Sequence, residues 1–535
     1  MKNIINIINF VRSYDDRHGR DLIEPVREQL RIMRQYRLRG TFLLQYDAAV
    51  TEPYPTLMKE NADLVEVGVW FEIVQPLVEA VGEKWRGRYP VWDFHCDVGS
   101  LMGYPPHVRE KLIDEAMRKF KEIFGGYPPC IGAWQIDAYS MRYASEKYGV
   151  KACCICRDEQ ETDFYTLGGG YYDKAYYPSK FNMLCPAQSK ETQINMPVFR
   201  MLGSDPIYAY DFKDRSYGFD DVPTLEAAAI GRKQPWVDWY FSEVFSGRGL
   251  AFDYTQAGQE NSFGWPRMKD GIEYQFPLIA KLRDEGKLTV QTLSDSGAWF
   301  SERYETTPPS TLTALSDWRN ENRKSIWYSS AYYRANLFWE NGRVFFRDIY
   351  VFDDRYKEKY LSEVCASEDC ENRNLPVFDG VLYGQKNTIP GVYLEDRDRV
   401  IDWRSLSYEE KDGDAVITLG KGEHRAVLTF SPKTIMLETN IDGLRLVPRY
   451  DRECVYGRKY PLTGGKMDRY HITSISKAAV QKSRISFTFD GAAYALDAEE
   501  GAFEKDFSAR PVNGRLRVCF LTSGDPGSDN KTTEE

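Results

Sequence analysis

Short apolar runs that stop on carboxylates, amides or aromatic residues recur through the first half of the chain. The first, Asn3 to Val11, leads into Arg12-Ser13-Tyr14-Asp15-Asp16-Arg17. Others stop at Trp70-Phe71-Glu72, at Trp134-Gln135-Ile136-Asp137 and at Gln256-Ala257-Gly258-Gln259-Glu260-Asn261. Paired carboxylates suit glycoside cleavage. One protonates the leaving oxygen and the other acts as nucleophile or as base for water. Amides bind sugar hydroxyls because they donate and accept in fixed planes, and aromatic faces stack on sugar rings. Asp16, Glu72, Asp137 and Glu260 are therefore the expected catalytic carboxylates. Asp15, Trp70, His95, Trp134, Gln135, Asp205, Gln256, Gln259, Asn261 and Trp265 are the expected substrate-binding residues.

Each of these has a structural competitor. Asp15 and Asp16 are adjacent, so only one is expected to face a common site, and either could cap a helix. Glu72 sits beside Trp70 and Phe71. An apolar shell favours the proton-bearing carboxyl that a general acid needs. Asp137 precedes a helical segment, so capping competes with catalysis. Asp205 is kept extended by Pro206. His95, in Trp92-Asp93-Phe94-His95-Cys96-Asp97, is either a rim residue or a hydrogen-bonded loop histidine.

The elements that must position these residues alternate between strand-like and helix-like patterns. Strands are expected at 4–11, 41–46, 64–71, 130–134, 150–156, 196–202, 249–254 and 288–293. Helices are expected at 20–38, 106–124, 236–245 and 274–285, among others. Seven or eight such units in about 300 residues predict an α/β fold with an N-terminal (β/α)7-8 barrel, its site at the C-terminal strand ends. After Pro308-Pro309-Ser310 the pattern changes to short alternating runs, as in Arg343 to Tyr350 and Ile485 to Phe489. These predict a C-terminal all-β sandwich domain. The expected division is a barrel over 1–305, a linker over 306–324, a sandwich over 325–522 and a disordered tail over 523–535. Trp339 and Trp403 are expected in the sandwich core.

The chain has 535 residues and a net charge of -10, which argues against a nucleic-acid partner. No apolar run has the length of a membrane span. The start, Met-Lys-Asn, lacks a signal-peptide pattern, so a cytoplasmic location is expected. Aromatic residues make up 14% of the chain, which fits sugar binding as well as β-rich packing. The ten cysteines show no paired zinc spacing, and Cys153, Cys154 and Cys156, in one apolar run, are expected as small buried hydrophobes. The sequence leaves homo-oligomer formation open.

In element order the chain resembles the glycoside hydrolase/deacetylase (β/α)-barrel superfamily, which includes polysaccharide deacetylases. The resemblance covers residues 1–300. Ser13-Tyr14-Asp15-Asp16-Arg17 is similar to the Asp-Asp motif ending that family's first strand. Gly40-Thr41-Phe42-Leu43-Leu44 is similar to its second-strand signature. The deacetylases of the family hold a metal with an Asp and two His from a third-strand motif. Here that strand ends in Trp70-Phe71-Glu72, and the whole chain has five His. The resemblance without those ligands implies a metal-independent, cofactor-free glycoside hydrolase acting on a small glycoside or oligosaccharide. Family-57 amylases, of the same superfamily, carry the nucleophile at the fourth strand end and the acid near the seventh, which points by position to Asp137 and Glu260. A divergent metal-dependent carbohydrate deacetylase is the first alternative, and a non-catalytic sugar-binding protein on the same scaffold the second.

Overall fold

The first apolar run forms strand β1 (Asn3–Val11), and every residue after Asn3 in it is buried. Burial on both faces requires cover on both faces, which a parallel sheet wrapped by helices provides. The computed structural model describes residues 2–15, 19–156, 170–172, 174–201, 205–208, 224–230, 234–368, 370–371, 374–379, 390–449 and 478–521. Asp16 and the 523–535 tail lie outside the described residues. Eight further strands complete the first sheet: β2 (Gly40–Leu44), β3 (Val65–Trp70), β4 (Cys130–Ala133), β5 (Ala152–Cys156), β6 (Ala175–Tyr176), β7 (Val198–Met201), β8 (Asp253–Ala257) and β9 (Thr289–Gln291). Among the described residues their order is β6-β7-β5-β4-β3-β2-β1-β8, with β9 also on β1. Every pairing is parallel except that of β6 with β7.

β1 organises this curled sheet. Its first half pairs with β8 from Asn3↔Asp253 to Ile7↔Ala257. On the opposite side β9 occupies Ile4 to Asn6, and β2 continues from Ile8 to Val11. The expected eighth strand is therefore a short filler beneath β2, and its end does not reach the rim. The strand expected at 249–254 lies at 253–257, which moves Gln256 onto the strand itself. Between the sheet's two ends, Phe199 of β7 and Tyr254 of β8 meet with ring centroids 5.1 Å apart.

The helices follow their apolar spacing. In Pro106–Phe124, Val108, Leu112, Ala116 and Phe120 are buried at intervals of four, and Gly125 closes the helix at φ 84°. Gly258 has φ 111°, and a Cβ there would meet the Ile8 carbonyl oxygen at 2.1 Å. The loop leaving β8 thus lies directly against β1.

The second half forms two antiparallel sheets over one core. Among the described residues, a ten-stranded sheet begins at Ser310–Ala314, and an eight-stranded sheet runs from Ser405–Lys411 to Arg515–Leu521. Tyr333 of the first stacks on Phe520 of the second at 4.0 Å. Trp339 and Trp403 are both buried in this shared core, as expected. The stretch read as a linker, 306–324, contains strand Ser310–Ala314, which pairs with Arg323–Ser329. Its alternation is too short to stand out beside Pro308-Pro309. Cys153 and Cys154 are buried and join different apolar clusters on opposite faces of β5.

Gly258→Ala is expected to destabilise the protein by roughly 1–3 kcal/mol or more, because strain at positive φ adds to a backbone clash. Denaturant melts of parent and variant check this. Equal stability would mean the β8 loop is not pinned to β1.

Candidate functional site

The rim at the C-terminal strand ends is built around one guanidinium. Arg12, one residue beyond β1, is buried. Its Nε and Nη2 donate to the two oxygens of Glu72 at 2.9 and 2.8 Å. Its Nη1 donates to Ser262 Oγ at 3.0 Å and lies 3.1 Å from Glu260. Trp92 covers the guanidinium at 4.6 Å. Burial works against the charge, but the carboxylates of Glu260 and Glu72 outweigh it and hold Arg12 well above its ordinary pKa. Asp15, also buried, adds to the same field.

Glu72 accepts three more donors: Gln45 Nε2 at 3.0 Å, Trp70 Nε1 at 3.1 Å and Trp134 Nε1 at 3.0 Å. The expected apolar shell is present, yet two of its indoles aim their N–H groups at the carboxylate. Five donors occupy both oxygens, which makes Glu72 an ionic strut within that shell. The aromatic side chains pack tightly beneath it. Phe10 stacks on Trp70 at 4.4 Å, and Trp134 meets both rings edge-on at 5.0 and 5.4 Å.

Glu260 and Asp47 are two further rim carboxylates around Arg12. Glu260 also accepts from Ser262 Oγ. Asp47 follows β2 and accepts from Ser13 N–H at 3.1 Å, Ser13 Oγ at 2.7 Å and Ala48 N–H at 2.7 Å. Burial pushes its carboxyl up to about 6, against the lowering effect of these hydrogen bonds and of Arg12. Sequence reasoning missed Asp47 because the second strand was drawn through Tyr46. The strand ends at Leu44, and Gln45-Tyr46-Asp47 is another polar strand end of the same kind.

His95 and Asp93 form a pair on the loop after β3. His95 Nδ1 lies 2.6 Å from Asp93 Oδ1, and Arg88 holds the other Asp93 oxygen through its N–H at 2.7 Å and Nη1 at 3.1 Å. Burial raises the Asp93 pKa, but the N–H groups of Arg88 and His95 more than offset it, leaving Asp93 below the usual carboxylate range.

Several expected site residues lie elsewhere or are committed to other partners. Asp137 caps helix Ala138–Tyr148 through Ser140 N–H at 2.9 Å and Ser140 Oγ at 2.8 Å, and pairs with Arg109 at 3.0 Å. The capping contacts that the sequence offered for Asp137 are thus present. Beside it Glu358, from the β region, accepts from Ala138 N–H and Met183 N–H at 2.7 and 2.8 Å. Burial and the neighbouring Asp137 push Glu358 up to about 8. Gln135 accepts from Cys370 at 2.7 Å. Asp205 accepts from the indoles of Trp236 and Trp318 at 2.9 and 2.7 Å, joining the two halves of the chain, and burial raises its pKa. Gln259 and Asn261 tie the β8 loop to Asn9, Ala228, Arg12 and Leu22. Trp265 starts helix Trp265–Asp284 and packs in the core with Met268 and Ile272 rather than in a loop. Gln256 lies at the rim, and its Nε2 donates to Tyr254 Oη at 2.7 Å.

The third strand end lacks the two histidines that hold the metal in the deacetylases the sequence resembles. Glu72 stands at the strand end where that family carries histidines, and its oxygens are all taken. Among the described residues no group of three or more His, Cys, Asp or Glu is arranged to hold an ion. Among them, too, no helix is long and apolar enough to cross a membrane.

Comparison with known proteins gives likeness of shape. No family model matches the sequence, and no curated protein does. Among solved structures, the chain is similar to a putative glycoside hydrolase/deacetylase from Parabacteroides distasonis, with 14% identity, 70% of this chain and 89% of that one covered, and a TM-score of 0.48. It is also similar to a putative polysaccharide deacetylase from Mycobacterium smegmatis, with 13% identity, 55% and 93% covered, and a TM-score of 0.31. A probable polysaccharide deacetylase from Pseudomonas aeruginosa PAO1 gives 11% identity, 56% and 91% covered, and a TM-score of 0.35.

Two variants test the rim. Glu72→Gln leaves Arg12 buried beside a neutral amide and is expected to cost about 3–5 kcal/mol in denaturant melts. A loss below 1 kcal/mol would show that the strut is not structural. Asp47 has a folded-state pKa raised from 3.8 to about 6. The native state therefore holds that proton more tightly, and the stability it brings is full below about pH 4 and lost as pH rises through 6. The loss totals roughly 3 kcal/mol. In Asp47→Asn this part of the pH dependence should vanish relative to the parent.

Proposed function

We propose that the chain is a carbohydrate-active hydrolase that cleaves a small glycoside or oligosaccharide at the rim of the curled sheet. The observation that carries this reading is a pair of buried carboxylates around one guanidinium in unlike settings. Asp47 keeps its proton up to about pH 6, while Glu260 is held by Arg12 and Ser262. Glycoside hydrolysis uses two carboxyl groups in different roles, one giving a proton and one facing the developing charge. Asp47 gives its proton to the leaving oxygen. Glu260 stabilises the positive charge that develops on the sugar carbon. Glu72 and Arg12 act as a fixed frame, and Trp70, Trp134 and Phe10 form the floor. The reading is metal-independent, which the Glu72 carboxylate at the third strand end, in place of histidines, supports.

Release of new reducing ends from a panel of 4-nitrophenyl glycosides and short oligosaccharides tests this. Turnover is expected to fall as pH rises through about 6, where Asp47 loses its proton. Asp47→Asn is expected to lower kcat by about 10²–10⁴-fold. The loss should be smaller on substrates whose leaving group needs no proton. A pH profile with no limb near 6, or full activity in the variant, defeats the assignment.

One observation favours the second reading, deacetylation. The Asp93-held His95 is a ready general base or acid on the loop after β3. Acetate release from acetylated oligosaccharides, without new reducing ends and abolished by His95→Asn, would decide for it. Sugar binding without either product would leave a binding protein on an enzyme scaffold.

A further inference from the structure

A small cavity of about 20 Å³ lies against Phe10 of the aromatic floor. It is lined by Ile8 and Phe10 of β1, by Leu225 and Glu226, and by Gln256 to Gln259 at the end of β8. That volume accommodates a single water molecule, and water needs polar partners to stay. Glu226 and Gln256 supply them, both buried, at 5% and 6% exposure.

The orientation of Gln256 is set from below by a chain of hydrogen bonds through the sheet interior. Its Nε2 donates to Tyr254 Oη at 2.7 Å, and Tyr254 Oη donates to Asn6 Oδ1 at 2.9 Å. The Asn6 amide nitrogen donates to Ser296 Oγ at 2.8 Å and to the Gln291 carbonyl at 2.9 Å. With one amide N–H given to Tyr254, Oε1 is the acceptor that Gln256 offers a guest. Glu226 adds a carboxylate to the same cavity. An acceptor and a carboxylate together fit a guest that donates two hydrogens, which a water molecule does.

We propose that this cavity holds the water consumed in hydrolysis, with Gln256 orienting it and Glu226 as its general base. This rests on the glycoside-hydrolase reading and completes it. The water oxygen bonds to the anomeric carbon as the glycosidic C–O bond breaks. The water proton passes to Glu226, and the leaving oxygen takes the proton of Asp47. Direct attack by water on the face opposite the leaving group gives a product of inverted anomeric configuration.

Two measurements on the full chain test it. A high-resolution crystal structure is expected to show one water within hydrogen-bond reach of Gln256 Oε1 and the Glu226 carboxylate. A dry cavity overturns the proposal. With 4-nitrophenyl glycosides, Glu226→Gln should lower kcat by about 10²–10⁴-fold even though the leaving group needs no proton. Proton NMR should show the inverted anomer as the first product. Parental kcat in a folded Glu226→Gln, or a retained anomer, also overturns it. Gln256→Leu, which removes the acceptor but keeps the carboxylate, should raise the barrier with little change in KM. A parent that turns over no glycoside defeats the functional reading and with it the base role of Glu226, while the crystal structure still decides whether the water site exists.

Discussion

The rim of the first sheet depends on the pairing of Arg12 with Glu72. Both charges are buried, and an unpartnered charge there would cost several kcal/mol. Two parallel hydrogen bonds fix the guanidinium against the carboxylate, and each partner then gathers neighbours. Glu72 draws the side chains of residues just beyond β2 and β4 and of Trp70 at the end of β3. Arg12 draws Ser262 and Glu260 from the loop after β8. One ion pair therefore sets the mutual positions of five strand ends. The aromatic floor follows from the same constraint, since Trp70 and Trp134 can stack with Phe10 and still satisfy their indole N–H groups only while Glu72 stays in place.

The fold was largely legible because its signals are local. The apolar run of β1, the spacing of four in the helix over 106–124 and the alternating runs after residue 320 each report burial on a known period. The site was less legible, since a polar strand end says only that a side chain lies near the rim. It does not say what that side chain is bonded to. Glu72 and Asp137 look alike in sequence, each a carboxylate after an apolar strand and an aromatic. Partners sixty residues away from Glu72 and twenty-eight away from Asp137 decide their roles. Asp47 was hidden by a boundary error of two residues, and Glu226 lies on a segment with no periodicity of its own.

Polar side chains also fill the interior of the curled sheet. Ser296, Asn6, Tyr254 and Gln256 form a column that an apolar core would not need. Such a column is justified where the orientation of its last member matters, because each member is held by the one below. The lower end of the sheet is closed in similar fashion, with Glu66 accepting from Thr41, Thr292 and Ser294.

Glu358 belongs to the antiparallel half of the chain, yet it satisfies the first N–H of a helix in the parallel half. From the same stretch, the carbonyls of Tyr360 and Glu363 accept from Arg109, and the carbonyl of Glu368 accepts from the N–H of Cys96. If the chain were cut after residue 305, the parallel half would retain a helix end with an uncapped donor. It would also keep an arginine stripped of two acceptors and an apolar surface that Tyr360, Cys365 and Cys370 now cover. The two halves differ in architecture, but they form one unit of assembly, and neither is a module that recombination could exchange by itself.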